Sequence, residues 1–492
     1  MNNAVNSKKS GFLRSLSKPV ELTQGTPWKV ILKYSAPIML SYFLQQIYVL
    51  ADAVICGQVL SVWEVAGVND TFALTFIFLQ FAFGCTAGFS VITAKCVGLR
   101  DKSGVKSSFA AQLLLTFAIS LVLTAVSLAA LPKMLGVINV TKENAVVYNA
   151  AYDYCFYIFL GIFAQMGYNC VCGVLRAYGD SVTPLIFLVI STVLNVGLDI
   201  LFLVPFGMGP AGAALATVLA QLLSFVGCLV YTFLKYEDLR LSACNFKLTK
   251  SVLISHLKQG IPLGMQFSIL AVGIIVMQGA VVKFDITEAG TMLESAPAQN
   301  GFGAANKLIN FLMAFFNGLA SGILGFNAQN LGKNDKKRIR QGTLQSLVIM
   351  LVIYAVCLAA GLALSVGGTY QYIFMSADKV TAESIMYGNT YIYIDIILYF
   401  VLGFLIVVRS AVQGVCLVGY VLGAGTAELT SRILICSFLP DIVNGAAVNS
   451  SASRAAFAAV CFGDPGAWTL ASAVLLIPFF GYILNKNAEF IK

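Results

Sequence analysis

Residues 36–58, APIMLSYFLQQIYVLADAVICGQ, form one apolar run interrupted by a single carboxylate, Asp52. A run of this length can cross a hydrocarbon layer of about 30 Å as a helix, which takes about 20 residues. A charge inside such a span costs about 2.5–3.5 kcal/mol even on the most lenient scales, so Asp52 needs a partner or a purpose.

The rest of the chain repeats the pattern. Of its 492 residues 59% are hydrophobic and 11% charged, with a mean hydropathy of +0.85, far outside the range of soluble domains. About twelve apolar runs meet the length criterion. They cover 30–58, 66–97, 106–131, 145–173, 182–204, 210–235, 251–283, 299–331, 341–366, 384–412, 417–439 and 455–484. The stretch before Trp28 is polar and the first apolar run is too long for a signal-peptide core, so no cleaved leader is expected. The cysteines are scattered through apolar runs without metal-ligand spacing and read as small hydrophobes, Cys170 and Cys172 included. The one histidine, His256, next to Lys258, reads as a solvated helix end.

Basic residues set the orientation. Lys8, Lys9, Arg14, Lys18, Lys29 and Lys33 precede or open the first run. Lys95, Arg100, Lys102 and Lys106 follow the second, Lys235, Arg240, Lys247 and Lys250 the sixth, and Lys333, Lys336, Lys337, Arg338 and Arg340 the eighth. These clusters fall on every second loop, so both termini are expected in the cytoplasm of a multi-pass protein of the plasma (inner) membrane. The net charge of +9 follows from this loop bias, and no nucleic-acid partner is needed to account for it.

The chain also repeats itself. LKYSAP (32–37) opens the first run as LKQGIP (257–262) opens the seventh, and AKCVGLRDKSGVK (94–106) aligns with AQNLGKNDKKRIR (328–340), Gly98 on Gly332 and Asp101 on Asp335. Six spans separate the copies, an even number, so the copies share an orientation. The expected fold is an all-α membrane protein of about twelve transmembrane helices in two pseudo-symmetric six-helix lobes around a central cavity. The expected segments are a cytoplasmic stretch 1–29, an N-lobe 30–235, a cytoplasmic linker 236–250, a C-lobe 251–485 and a cytoplasmic tail 486–492.

Asp199 interrupts the fifth run as Asp52 does the first. Asp52, Asp199 and Thr217 each lie about five to seven residues inside the outer boundary, which at ~1.5 Å per residue gives them one depth. Tyr48 is one turn from Asp52 and Asn195 one turn from Asp199, each pair on one helix face. Two carboxylates, a phenol, an amide and a hydroxyl make an all-oxygen set suited to a proton or a hard cation such as Na⁺.

Several motifs in order, APIMLSYFLQQIYVLADAVICGQ (36–58), RAYGDSVTPLIF (176–187), NVGLDILF (195–202), GMGPAGAALATVLAQ (207–221) and AQNLGK (328–333), make the chain resemble the multidrug and toxic compound extrusion (MATE) transporters over nearly its whole length. That resemblance implies a two-lobed antiporter, not an enzyme. It would export small amphipathic, cationic organic compounds in exchange for H⁺ or Na⁺, with no cofactor and no obligate protein partner. It also implies that Tyr48, Asp52, Asn195, Asp199 and Thr217 form the ion-coupling site. The alternative is a lipid-linked saccharide flippase of the same superfamily. A cationic cavity would favour the flippase; the acidic first lobe favours cationic cargo.

The second copy departs from the first. Met277 stands at the repeat position of Asp52, Gly273 at that of Tyr48, and Arg432 opposite Asn195. Lys307, Asp395, Glu428 and Arg432 nevertheless fall inside apolar runs and sum to zero charge, either as structural pairs or as cavity lining.

Overall fold

The computed structural model describes residues 18–138, 140–376 and 380–485. The expected tail 486–492 and Lys8, Lys9 and Arg14 lie outside the described residues. The helices are α1 (Pro27–Val59), α2 (Val62–Asp70), α3 (Phe72–Gly98), α4 (Lys102–Val137), α5 (Ala145–Leu160), α6 (Ile162–Ala177), α7 (Val182–Leu203) and α8 (Gly209–Lys235). They continue with α9 (Lys250–Val282), α10 (Pro297–Gly332), α11 (Lys336–Ser365), α12 (Thr369–Phe374), α13 (Ala382–Gly414), α14 (Val418–Asn444), α15 (Arg454–Cys461) and α16 (Gly463–Pro478). Eleven spans among the described residues are long and apolar enough to cross a membrane. α5 and α6, bent by 43° at Gly161, bring the number to twelve if they form one span. The protein is thus an all-α membrane protein. The run expected at 145–173 is bent at Gly161, where Val218 of α8 occupies the space a Cβ would take.

The chain forms two compact units. One holds the residues up to Ser268 together with Leu324–Ile339; the other holds Ile269–Ile323 and the residues from Arg340 onward. The core of the first unit gathers Cys85 and Phe89 of α3, Phe159 of α5 and Ile162 and Met166 of α6, all 0% exposed, with Leu253, Leu257 and Ile261 from the start of α9 packed against them. None of the cysteines forms a disulfide.

The repeat at 94–106 and 328–340 reaches down to the backbone. Arg100 and Asn334 both take left-handed φ values, 58° and 57°. Asp101 caps α4 by accepting from Gly104 N–H at 2.9 Å, and Asp335 caps α11 by accepting from Arg338 N–H at 2.9 Å, as side-chain acceptors at helix starts do. The ends of α3 and α10 cross so closely that a Cβ on Gly98 would meet the Gln329 carbonyl and one on Gly332 the Lys95 carbonyl. Gly98→Val must therefore push these backbones apart, which costs about 1–3 kcal/mol or more. The monodisperse peak of the detergent-purified protein should shrink and its Tm fall. Gly136→Val, where nothing lies within 4 Å, should change neither.

The segment 236–250 carries short 3-10 turns at Glu237–Leu239 and Ala243–Phe246. It is tied to the α6–α7 turn through Asp180, which accepts from Thr183 N–H at 2.9 Å, Lys235 Nζ at 3.1 Å and Tyr236 O–H at 2.6 Å. Asp238 accepts from Tyr178 O–H at 3.0 Å and pairs with Lys102 at 2.9 Å. The Lys102 ammonium holds the Asp238 carboxyl below the usual carboxylate range.

His256 is not at a solvated end. It is 0% exposed, with Nε2 2.8 Å from Ser108 Oγ and Nδ1 2.8 Å from the Val252 carbonyl. Ser108 continues the chain to Thr93 at 2.7 Å, and Gln112 donates to Thr93. Lys258 misleads because it lies two positions away, a separation that on a helix puts two side chains on different faces.

Candidate functional site

In the first unit α1 carries Tyr48 and Asp52, α7 carries Asn195 and Asp199, and α8 carries Thr217. All five meet. Thr217 Oγ1 accepts from Asn195 Nδ2 at 3.3 Å and lies 3.5 Å from the Tyr48 hydroxyl. Asp52 and Asp199 lie within direct interaction range of each other. Asn195 is 1% and Asp199 0% exposed. α7 brings its two residues to this spot by the i,i+4 spacing alone, since they share a face on an otherwise apolar helix. The small residues Ala213, Ala214 and Ala216, all nearly fully buried, let α8 approach closely.

What the acids of the site lack is donors. Asp52 Oδ1, Asn195 Oδ1 and both Asp199 oxygens are buried without a hydrogen-bond partner. Among the described residues no lysine or arginine pairs with either acid. Unpaired buried acceptors are costly, and two facing carboxyls cannot comfortably both be ionised without a shared proton or cation. The vacant acceptors are all oxygens, and among the described residues no group of three or more His, Cys, Asp or Glu is gathered. Such a set suits H⁺ or a hard cation better than a transition metal.

Tyr154 of α5 also lies within electrostatic range of Asp52 and Tyr48. The sequence signal for it was weak: a tyrosine in the aromatic stretch YDYCFY (152–157) reads as packing.

The second unit is built differently. Arg409 of α13 bonds Glu428 of α14. Arg432 of α14 lies 3.7 Å from Glu428 and 2.5 Å from Asp464 of α16, and Asp464 also accepts from the Tyr391 hydroxyl at 3.0 Å. Glu428 and Arg432 are thus paired, but with Arg409 and Asp464 rather than with Lys307 and Asp395. A Cβ on Gly273 would point into the Arg432 guanidinium. The repeat position of Tyr48 has lost its side chain, and an arginine fills the room. Where the first unit leaves acceptors open, the second carries a resident cation. Asp395 of α13 is 0% exposed with neither oxygen bonded. Lys307 of α10 is exposed and belongs to no ion pair among the described residues.

A family model described as MatE matches residues 37–201 and 295–444. "Probable multidrug resistance protein YpnP" of Bacillus subtilis strain 168 is 31% identical over 325 residues, covering 65% of this chain and 69% of that protein. "Probable multidrug resistance protein YoeA" of the same strain is 24% identical over 468 residues, 94% of this chain and 95% of that one. A crystal structure of MATE in complex with MaL6 matches the fold with a TM-score of 0.80 over 94% of this chain and 98% of its own, at 18% identity.

Proposed function

This chain belongs to the MatE family, and on that premise we propose that it is a secondary antiporter exporting amphipathic, cationic organic compounds in exchange for H⁺ or Na⁺. The observation that carries the reading is the set of unpaired oxygens on Asp52, Asn195 and Asp199 inside membrane-spanning helices. Intramembrane acids mark ion and proton paths far more often than not. In the proposed cycle the site takes up its ion while open to the outside and releases it inside, and ion and cargo occupancy alternate. Thr217, beside the Tyr48 hydroxyl, holds the Asn195 amide by its N–H group and leaves its carbonyl oxygen for the ion. The names of the two Bacillus relatives support the export of drug-like molecules.

Purified protein in proteoliposomes with an imposed pH or sodium gradient tests this reading. Uphill movement of a cationic dye with one gradient and none without it is expected. Dye movement indifferent to both gradients would mean a channel or flippase. The layout carries a separate expectation: fusion reporters at Lys9 and Lys492 both report the cytoplasm, as the loop charges require. An external signal from either would overturn it.

A further inference from the structure

α10 has one exposed residue among its 36, Lys307. It lies ten positions in from Pro297, about 15 Å along the helix axis, well within a span. A lysine at that depth does not face hydrocarbon without penalty; such side chains face a bundle interior or a water-filled space and take a counter-charge. Of the other charged side chains deep in the spans of the second unit, Arg409 pairs with Glu428, Arg432 pairs with Glu428 and Asp464, and Asp395 is fully buried. Lys307 has no such partner among the described residues.

Its surroundings are polar and roomy. Asn306 and Asn310 flank it, with Asn310 Nδ2 donating to Asn306 Oδ1 at 3.4 Å, which leaves the Asn306 N–H groups as donors without a partner among the described residues. Gly303, one turn away, has nothing within 4 Å of where a Cβ would stand. An ammonium, an amide donor and open space on one helix face form the half of a binding site that an anion completes.

We propose that Lys307, with Asn306, is the recognition point for an anionic group, a carboxylate or phosphate, on the exported molecule. Within the cationic class the cargo is thereby narrowed to zwitterions, amphipathic cations that also carry a carboxylate or phosphate. Lys307 sets specificity; it does not belong to the Asp52–Asp199 site. The proposal rests on the export reading for the purpose of binding but not for binding itself.

Two matched fluorescent pairs test it: rhodamine B with its ethyl ester, and riboflavin 5′-phosphate with riboflavin. Equilibrium binding to the purified full chain is read by anisotropy, alongside gradient-driven efflux. The wild type should bind each acid more tightly than its partner. Lys307→Met should weaken the acids about tenfold, the size of one charge-assisted hydrogen bond, and leave the ester and riboflavin within about twofold. Lys307→Arg should restore the preference. A preference for the carboxylate pair alone or the phosphate pair alone would support the proposal and identify the group. Equal weakening of both members, an unchanged preference in Lys307→Met, or no acid preference in the wild type would overturn it. Intact discrimination in binding with no uphill efflux would uphold the proposal and sink the export reading.

Discussion

Asp52→Asn will fold, bind cargo and fail to drive it uphill. Asparagine keeps the size of the side chain, so packing against α7 and α8 is preserved. What disappears is a group that can exchange a proton or accept a full cation. In the wild type Asp52 faces Asp199, whose two oxygens have no donor, and in the proposed mechanism the pair acts as one unit whose occupancy the gradient sets. In the variant the remaining carboxylate, that of Asp199, gains an amide donor, and its need for an ion falls. Uphill efflux in vesicles should then drop to the level of protein-free controls, while equilibrium dye binding stays within about threefold. If the ion is H⁺, wild-type efflux increases as the imposed inward proton gradient increases, and Asp52→Asn efflux stays flat. Asp199→Asn should behave alike, and the double variant should be no worse than either single one, since groups acting as a unit are non-additive. Uphill efflux at the unmodified rate in Asp52→Asn would reduce Asp52 to a structural acid.

Arg432→Met should cost more in folded protein than any change at the ion site. Arg432 stands between Glu428 and Asp464, and it and Glu428 are almost fully buried. Burying an ion pair gains little by itself, but removing one partner leaves uncompensated charge, at about 3–5 kcal/mol. Arg432→Met strands Asp464 and leaves Glu428 with Arg409 alone. Methionine fills some of the space beside Gly273, so the loss is chiefly electrostatic. Monodisperse yield should collapse, and Asp464→Asn added to Arg432→Met should recover some of it, because the second change removes the stranded charge. Glu428→Gln should give a smaller loss of yield in the same direction, with gradient dependence intact in the protein that does fold. Normal yield with lost coupling in Glu428→Gln would move this cluster from scaffold to transport machinery.

How much of this was legible in the sequence depended on whether spacing carried the signal. Tyr48 with Asp52 and Asn195 with Asp199 each announce a shared helix face, and equal depth in neighbouring apolar runs brings Thr217 alongside. Helical spacing and membrane depth are both linear in residue number, so a one-dimensional string holds them. Tyr154 was hidden because it reaches the cluster from a fourth helix through tertiary packing alone. Asp464 was hidden as Tyr154 was, since only tertiary packing brings it to Arg432. Arg409 was hidden for another reason: near the end of an apolar run a charge reads as a boundary, whereas here it turns inward to meet Glu428. His256 was misread for the same reason. Gly161, where the fourth run bends, packs against Val218, a contact between distant positions that no local pattern encodes.

The exchange of ion for cargo is most directly tested by cargo-driven ion movement. Proteoliposomes with no imposed ion gradient receive rhodamine B ethyl ester on one side, and internal pH and radioactive sodium are followed together. The account predicts that one of the two ions moves opposite to the dye and that this movement vanishes in Asp52→Asn and in Asp199→Asn. Dye crossing with no ion moving, or ion movement undiminished in the double variant, would contradict it.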